Sequence, residues 1–113
     1  MITKKVTLCG TEVVLAYCYA TEIAFRKYTG VNVEEFDPKN PEHAIYLIIA
    51  AMLPYYEQKG QEPPITDSDL MYKSEPADYA IAFKAIVDAR KEWYKVPAGE
   101  PEDKPSDDDG KNA

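Results

Sequence analysis

One stretch constrains the fold of this chain more than any other, the apolar run Ala44–Leu53. Its ten residues leave no polar face, and a helix that is apolar all round has to be buried all round. Asn40 and Pro41 suit the N-cap and the first turn of a helix, and Gly60 suits a left-handed C-cap. The run has half of the roughly 20 residues needed to cross a bilayer. We therefore expect a buried central helix over Pro41–Lys59 of a soluble domain.

A β-hairpin is predicted before this helix, over residues 1–17. Val6 and Leu8 alternate with polar residues, which is typical of a strand with one apolar and one polar face. Gly10 lies between the two apolar segments and can adopt the positive φ that a tight turn requires. Because an isolated two-stranded hairpin is marginally stable in water, its apolar face has to pack on a helix.

A first helix is predicted from Cys18 to Thr29, with Gly30 ending it. Glu22 and Arg26 are four residues apart on its polar side, in the orientation that favours an ion pair. The apolar residues fall on one stripe, which we expect to be buried against the central helix: Ala20, Ile23, Ala24 and Tyr28, with Phe25 at its flank.

Three local signals subdivide the middle of the chain. Pro54 lies inside the central helix, where its ring clashes with the carbonyl of Ala50, so we expect a kink or a break there. Asn32 and Glu35 have the spacing of a capping box, which predicts a single short turn. Thr66, followed by acidic residues, predicts the N-cap of a short helix.

The last predicted helix has Ser74 as its N-cap and Pro76 in its first turn. Its expected buried stripe is Tyr79, Ala82, Phe83, Ile86, Ala89 and Trp93. From residue 97 the chain has six carboxylates, two lysines and no large apolar residue, so it carries −4 of the total charge of −7. Such a segment cannot bury enough surface to fold. We predict one small domain, residues 1–96, and a disordered acidic tail, residues 97–113.

Together these elements predict an α+β fold that is mainly helical: a short N-terminal β-hairpin followed by about four helices around the apolar central helix. The net charge of −7 argues against binding to nucleic acid, whose phosphates require a basic patch. No secretory signal is visible, and two cysteines without one suit a reducing cytoplasm. We expect Cys9 and Cys18 to be free, buried thiols, although a disulfide would form if the hairpin brought them together.

The sequence contains no recognisable active site. His43 is the only histidine, and we expect it to have a surface or capping role. Neither the cysteine–histidine spacing of a zinc site nor a glycine-rich phosphate loop is present. Asp107–Gly110 resembles the start of a calcium loop but lacks the closing glutamate, so a solvated tail explains it better. We expect no enzymatic activity, no cofactor and no metal.

The most unusual feature is the number of aromatic residues, nine tyrosines and one tryptophan in 113 residues. Tyrosine and tryptophan are enriched at protein interfaces, because one end of the side chain is apolar and the other forms hydrogen bonds. The alternative is that these rings cover a small core. The candidate partner-binding residues are Tyr46, Tyr55, Tyr56, Tyr72, Trp93 and Tyr94.

Four segments carry a resemblance to a known family. The hairpin segment Lys5–Glu12 leads into a helix ending Phe25–Gly30, and the apolar Ile48–Leu53 is followed by the acid-capped Ile65–Leu70. This order resembles that of the tail assembly chaperones of long-tailed bacteriophages and prophages. The likeness extends over residues 4–93, and its motifs are structural.

The resemblance implies a small, non-enzymatic cytoplasmic protein of the bacterial host cell. It implies protein partners, the tape measure protein and the tail tube protein, and neither nucleic acid nor membrane. Three alternatives stay open: another phage structural component such as a minor tail or head–tail joining protein, a small regulatory or antitoxin-like binding module, and an enzyme of an unfamiliar type.

Overall fold

A two-stranded antiparallel hairpin begins the fold and four α-helices follow it, in a computed structural model that describes Met1–Lys95. The prediction of a mainly helical α+β fold is thereby confirmed. The elements are β1 (Ile2–Leu8), β2 (Thr11–Tyr17), α1 (Tyr19–Thr29), a 3₁₀ turn (Val33–Glu35), α2 (Pro41–Gln58), α3 (Asp67–Lys73) and α4 (Pro76–Trp93). The predicted domain end at residue 96 and the predicted tail, 97–113, lie outside the described residues.

The hairpin turns through two residues, Cys9 and Gly10, whose φ angles of 52° and 75° are both positive. Two consecutive positive φ angles define the type I′ turn, whose twist matches that of the paired strands. The turn fixes the register from Leu8 opposite Thr11 to Ile2 opposite Tyr17. The inward face of the hairpin is therefore built from alternate residues, of which Leu8, Val13, Leu15 and Tyr17 are buried.

The helix α2 is the centre of the core, as predicted. It contacts β2 and the three other helices, and Ile48, Ala50 and Ala51 are fully buried within it. The Asn40 side chain caps the helix by accepting hydrogen bonds from the backbone N–H groups of residues 42 and 43. Of the kink or break expected at Pro54, the break is absent, since α2 continues through Pro54 to Gln58.

Several other local predictions are confirmed. Gly30 ends α1 with a φ of 81°, and capping boxes start the 3₁₀ turn at Asn32 and α3 at Thr66. Both cysteines are free, as expected, but they are half-buried and not buried as predicted. The stripe of α4 faces inward, with Ala82, Ile86 and Ala89 buried and Tyr79, Phe83 and Trp93 half-buried.

The predicted face of α1 is wrong. Thr21 and Phe25 are the buried residues, whereas Ala20, Ile23 and Tyr28 are exposed. The buried threonine is satisfied, because its hydroxyl donates a hydrogen bond of 2.8 Å to the carbonyl of Ala16 at the end of β2. This contact rotates α1 so that its expected inner stripe faces outward.

Two smaller predictions also fail. The N-cap of α4 is Glu75, whose N–H donates to the Asp78 carboxylate at 2.8 Å, while the Ser74 hydroxyl donates backwards to a carbonyl of α3. The expected ion pair between Glu22 and Arg26 does not form among the described residues, because two tyrosine hydroxyls donate to Glu22 instead. None of the described helices combines the length and apolar character that spanning a membrane requires.

Candidate functional site

The six candidate aromatic residues do not form one surface, and Tyr56 is a core residue. Its side chain is only 8% exposed. Its hydroxyl accepts a hydrogen bond of 3.0 Å from the backbone N–H of Val14 in β2. The expectation that the core does not need this ring is therefore wrong.

Tyr55 and Tyr72 lie on different helices, α2 and α3. Tyr55 is half-buried, with its ring edge-on to that of Tyr56 at 5.1 Å and the Lys59 ammonium 5.1 Å above it. Tyr72 is 83% exposed on the short helix α3. Exposed single rings are normal on protein surfaces, so Tyr72 alone does not indicate a site.

Trp93 and Tyr94 lie at the carboxyl end of α4. Trp93 is half-buried and makes an edge contact with Tyr19 at 5.4 Å. The Tyr94 hydroxyl donates to the Glu22 carboxylate at 2.6 Å, and this hydrogen bond raises the pKa of Tyr94 to about 12. The end of α4 is thereby fastened to α1.

A second set of hydrogen bonds continues this attachment. Tyr17 also donates to Glu22, at 2.6 Å, and burial together with this bond raises the pKa of the Tyr17 hydroxyl. Arg90 donates to the Tyr17 hydroxyl at 3.2 Å and to the carboxylate of Glu34 at 3.0 Å. The network joins β2, α1, the 3₁₀ turn and α4, so its arrangement indicates a structural function.

Tyr46 leads to the most distinctive surface. Its ring stacks on that of Tyr28 at a centroid distance of 4.9 Å and an interplanar angle of 12°. Tyr28 is 47% exposed and lines two neighbouring grooves. We call Tyr28 and these two grooves the Tyr28 surface.

The first of the two grooves lies between α1 and α2 and has a volume of about 480 Å³. Ile23, 55% exposed, lies on its α1 side, and Leu53 and Pro54 lie on its α2 side. Lys27 and Glu57 add opposite charges, and neither forms an ion pair with any residue in Met1–Lys95. We call it the α1–α2 groove, and its remaining lining residues are Ala20, Ala24 and Tyr28.

The second groove, of about 240 Å³, lies between Tyr28, α2 and the loop before α3. Its apolar wall includes Tyr46, Ile49 and Met52, and the loop before α3 closes it with Pro63. Because both grooves include Tyr28, they form one continuous surface that crosses the two helices.

Sequence reasoning identified the apolar stripe of α1 but assigned it to the core. Ile23 and Tyr28 were consequently absent from the predicted partner-binding residues, although the structure exposes both in the α1–α2 groove. The signal that could have found them is Phe25, an apolar residue outside the stripe. It gives α1 two apolar sides, and the domain can bury one of them.

The described residues contain no group of three or more histidine, cysteine, aspartate or glutamate side chains arranged to hold a metal. The single histidine, His43, accepts a hydrogen bond of 3.0 Å at Nδ1 from the N–H of Asp37. Its ring contacts Phe25 and Phe36, at 5.7 and 6.3 Å between centroids. His43 therefore holds the loop before α2 against the core.

Comparison with protein-family models, with curated proteins and with solved structures gives no match to this chain.

Proposed function

We propose that this protein is a non-enzymatic chaperone of phage or prophage tail assembly. In this proposal it acts in the cytoplasm of the bacterial host cell, binds the tape measure protein and helps to recruit tail tube subunits. The observation that carries the proposal is the apolar, solvent-exposed Tyr28 surface.

An exposed apolar surface of this kind favours a protein partner. Exposed apolar area costs about 25 cal/mol per Å² relative to burial, and contiguous apolar patches on soluble domains commonly mark interaction sites. In the α1–α2 groove, Ile23 and Leu53 lie on opposite walls. A row of apolar side chains on a bound partner would bury both residues.

An amphipathic helix is the occupant that fits the α1–α2 groove best. The groove is bounded by two helices, and a third helix can place side chains at i, i+3, i+4 and i+7 into it. Lys27 and Glu57 offer opposite charges to the polar edges of that helix and so favour one orientation. The resemblance supplies the candidate, a helical segment of the tape measure protein.

The charge of the chaperone suits this role. A client with exposed apolar segments aggregates unless they are covered, and a net charge of −7 repels other copies of the complex. Covering and repulsion together would keep a long client soluble before assembly.

Co-expression with the tape measure protein of the same phage or prophage tests the proposal. Ile23→Glu places a charge on the α1–α2 groove, and Ile81→Glu is the matched control because Ile81 is 47% exposed on α4. We expect Ile23→Glu to weaken binding about tenfold or more, as loss of a central anchor does, and to lower the soluble yield of the client. Equal yields with both variants would refute the groove as the client site.

A second measurement separates the chaperone from another structural component of the phage. Mass spectrometry of purified particles should not find the protein, since a chaperone leaves the assembly. Its presence at a fixed stoichiometry would favour the structural alternative.

A further inference from the structure

The two outer edges of the hairpin differ. On β2, the outward N–H of Val14 donates to Tyr56, and the outward carbonyl of Ala16 accepts from Thr21. Side chains of α2 and α1 therefore occupy the outer edge of β2 at two backbone groups, the Val14 N–H and the Ala16 carbonyl.

The outer edge of β1 is open. Residue pairs alternate along an antiparallel ladder. In one pair the backbone N–H and C=O groups point at each other, and in the next pair they point outward. The backbone groups of Val14 and Ala16 point outward, so those of their partners, Lys5 and Thr3, do so as well. The backbone groups of Thr7, two residues after Lys5, also point outward. All three are exposed, and their backbone groups have no hydrogen-bond partner among the described residues.

The lysines of β1 determine what can pair with this edge. Lys4 forms an ion pair with Glu92 of α4, whereas Lys5 forms none within Met1–Lys95. If β1 of a second copy paired over its full length in the antiparallel sense, Lys5 would lie opposite Lys5. Like charges directly opposite each other are destabilising, and lysine on an edge strand is a common protection against self-association.

We propose that the open edge of β1 binds an extended segment of another protein as an added strand, with a carboxylate opposite Lys5. Thr3, Lys5 and Thr7 each offer one N–H and one carbonyl to such a strand. The backbone supplies affinity that is independent of sequence, and the Lys5 ammonium, which has no ion-pair partner within Met1–Lys95, selects an acidic residue. This site shares no residue with the Tyr28 surface, so the two proposals can fail separately.

Hydrogen exchange tests whether the edge is open. We expect the amides of Thr3, Lys5 and Thr7 to exchange quickly, while those of Val6, which faces β2, and Val14, which is bonded to Tyr56, are protected. Equal protection of Lys5 and Val6 would show that the edge is already covered and would overturn the proposal.

Peptide titration of the full chain, followed by NMR, tests the charge preference. The probe is an end-blocked heptapeptide of alternating threonine and valine with a central glutamate, and the matched control has lysine in its place. We expect shifts at Thr3, Lys5 and Thr7, with about three- to tenfold tighter binding of the glutamate peptide.

Two variants make the test sharper. Lys5→Glu should reverse the preference between the two peptides. Lys5→Pro should abolish binding of both while the domain stays folded, because proline is tolerated where an edge N–H faces solvent. No binding, equal affinity for both peptides, or a dimer formed through β1 would each overturn the proposal.

Discussion

Tyr56→Phe is the substitution that separates the core role of this ring from a role in binding. It removes one oxygen and leaves the ring, so the packing of a side chain that is 8% exposed is preserved. What is lost is the acceptor for the Val14 N–H, which donates to the hydroxyl at 3.0 Å.

The expected loss of stability depends on how far the Val14 N–H is buried once it has no acceptor. An intramolecular hydrogen bond contributes about 0.5–1.5 kcal/mol, and leaving a partly buried donor without a partner costs about 1–3 kcal/mol. Because Val14 is only half-buried, we expect Tyr56→Phe to lower the free energy of unfolding by about 1–2 kcal/mol. Tyr56→Ala also empties the ring volume and should cost about 3–5 kcal/mol.

Urea denaturation followed by circular dichroism measures this loss as a lower midpoint at unchanged slope. Tyr55→Phe is the matched control, since the Tyr55 hydroxyl has no hydrogen-bond partner among the described residues, and it should stay within about 0.5 kcal/mol of the parent. Equal losses for the two variants would refute the reasoning. A double Tyr55→Ala, Tyr56→Ala variant would therefore lower the yield of a client through unfolding alone.

Three further predictions concern the core and the network at the end of α4. Thr21→Val keeps the shape of a fully buried side chain but removes its hydroxyl, so it should cost about 1–3 kcal/mol in urea melts; a loss below about 0.5 kcal/mol would contradict the buried hydrogen bond. Ile48→Ala should cost about 2–5 kcal/mol in the same assay, because Ile48 is 0% exposed, and a loss under about 1 kcal/mol would place it outside the core. Because the pKa of Tyr94 is raised from 10.0 to about 12, its contribution to stability is complete below pH 10 and is lost as the pH rises through 12. The titration of Tyr94, measured as the difference in tyrosinate absorbance between the parent and Tyr94→Phe, should have its midpoint near pH 12, and Glu22→Gln should lower this midpoint. A midpoint near pH 10 with and without Glu22→Gln would exclude the hydrogen bond between Tyr94 and Glu22.

The elements that sequence predicts well are those specified by neighbouring residues. The cap at Asn40, the turn at Gly10 and the capping box at Thr66 are local signals, and each is satisfied within a few residues. The burial of α2 follows from composition alone, because a helix without a polar face has no side to turn to solvent.

The orientation of α1 could not be predicted, because it depends on a contact between elements. Counting apolar residues favours the stripe that contains Ile23 and Tyr28. The fold buries Thr21 instead, since its hydroxyl satisfies a β2 carbonyl that would otherwise lack a partner near the core. Hydrophobic periodicity contains no information about that carbonyl, so the candidate site was assigned to the interior.

The placement of Thr21 and the two proposed sites follow from one constraint on the hairpin. A two-stranded sheet has two outer edges, and α1 and α2 bond to two backbone groups of the β2 edge through Thr21 and Tyr56. Turning Thr21 inward necessarily turns Ile23 outward, since residues two apart on a helix lie on different faces. Within Met1–Lys95 no helix bonds to the outward backbone groups of β1, and the exposed Lys5 protects that edge against self-pairing without closing it. The contact of Thr21 with the β2 edge thus leaves the apolar stripe of α1 in the groove. The open edge of β1 is the second place where we propose that another chain binds.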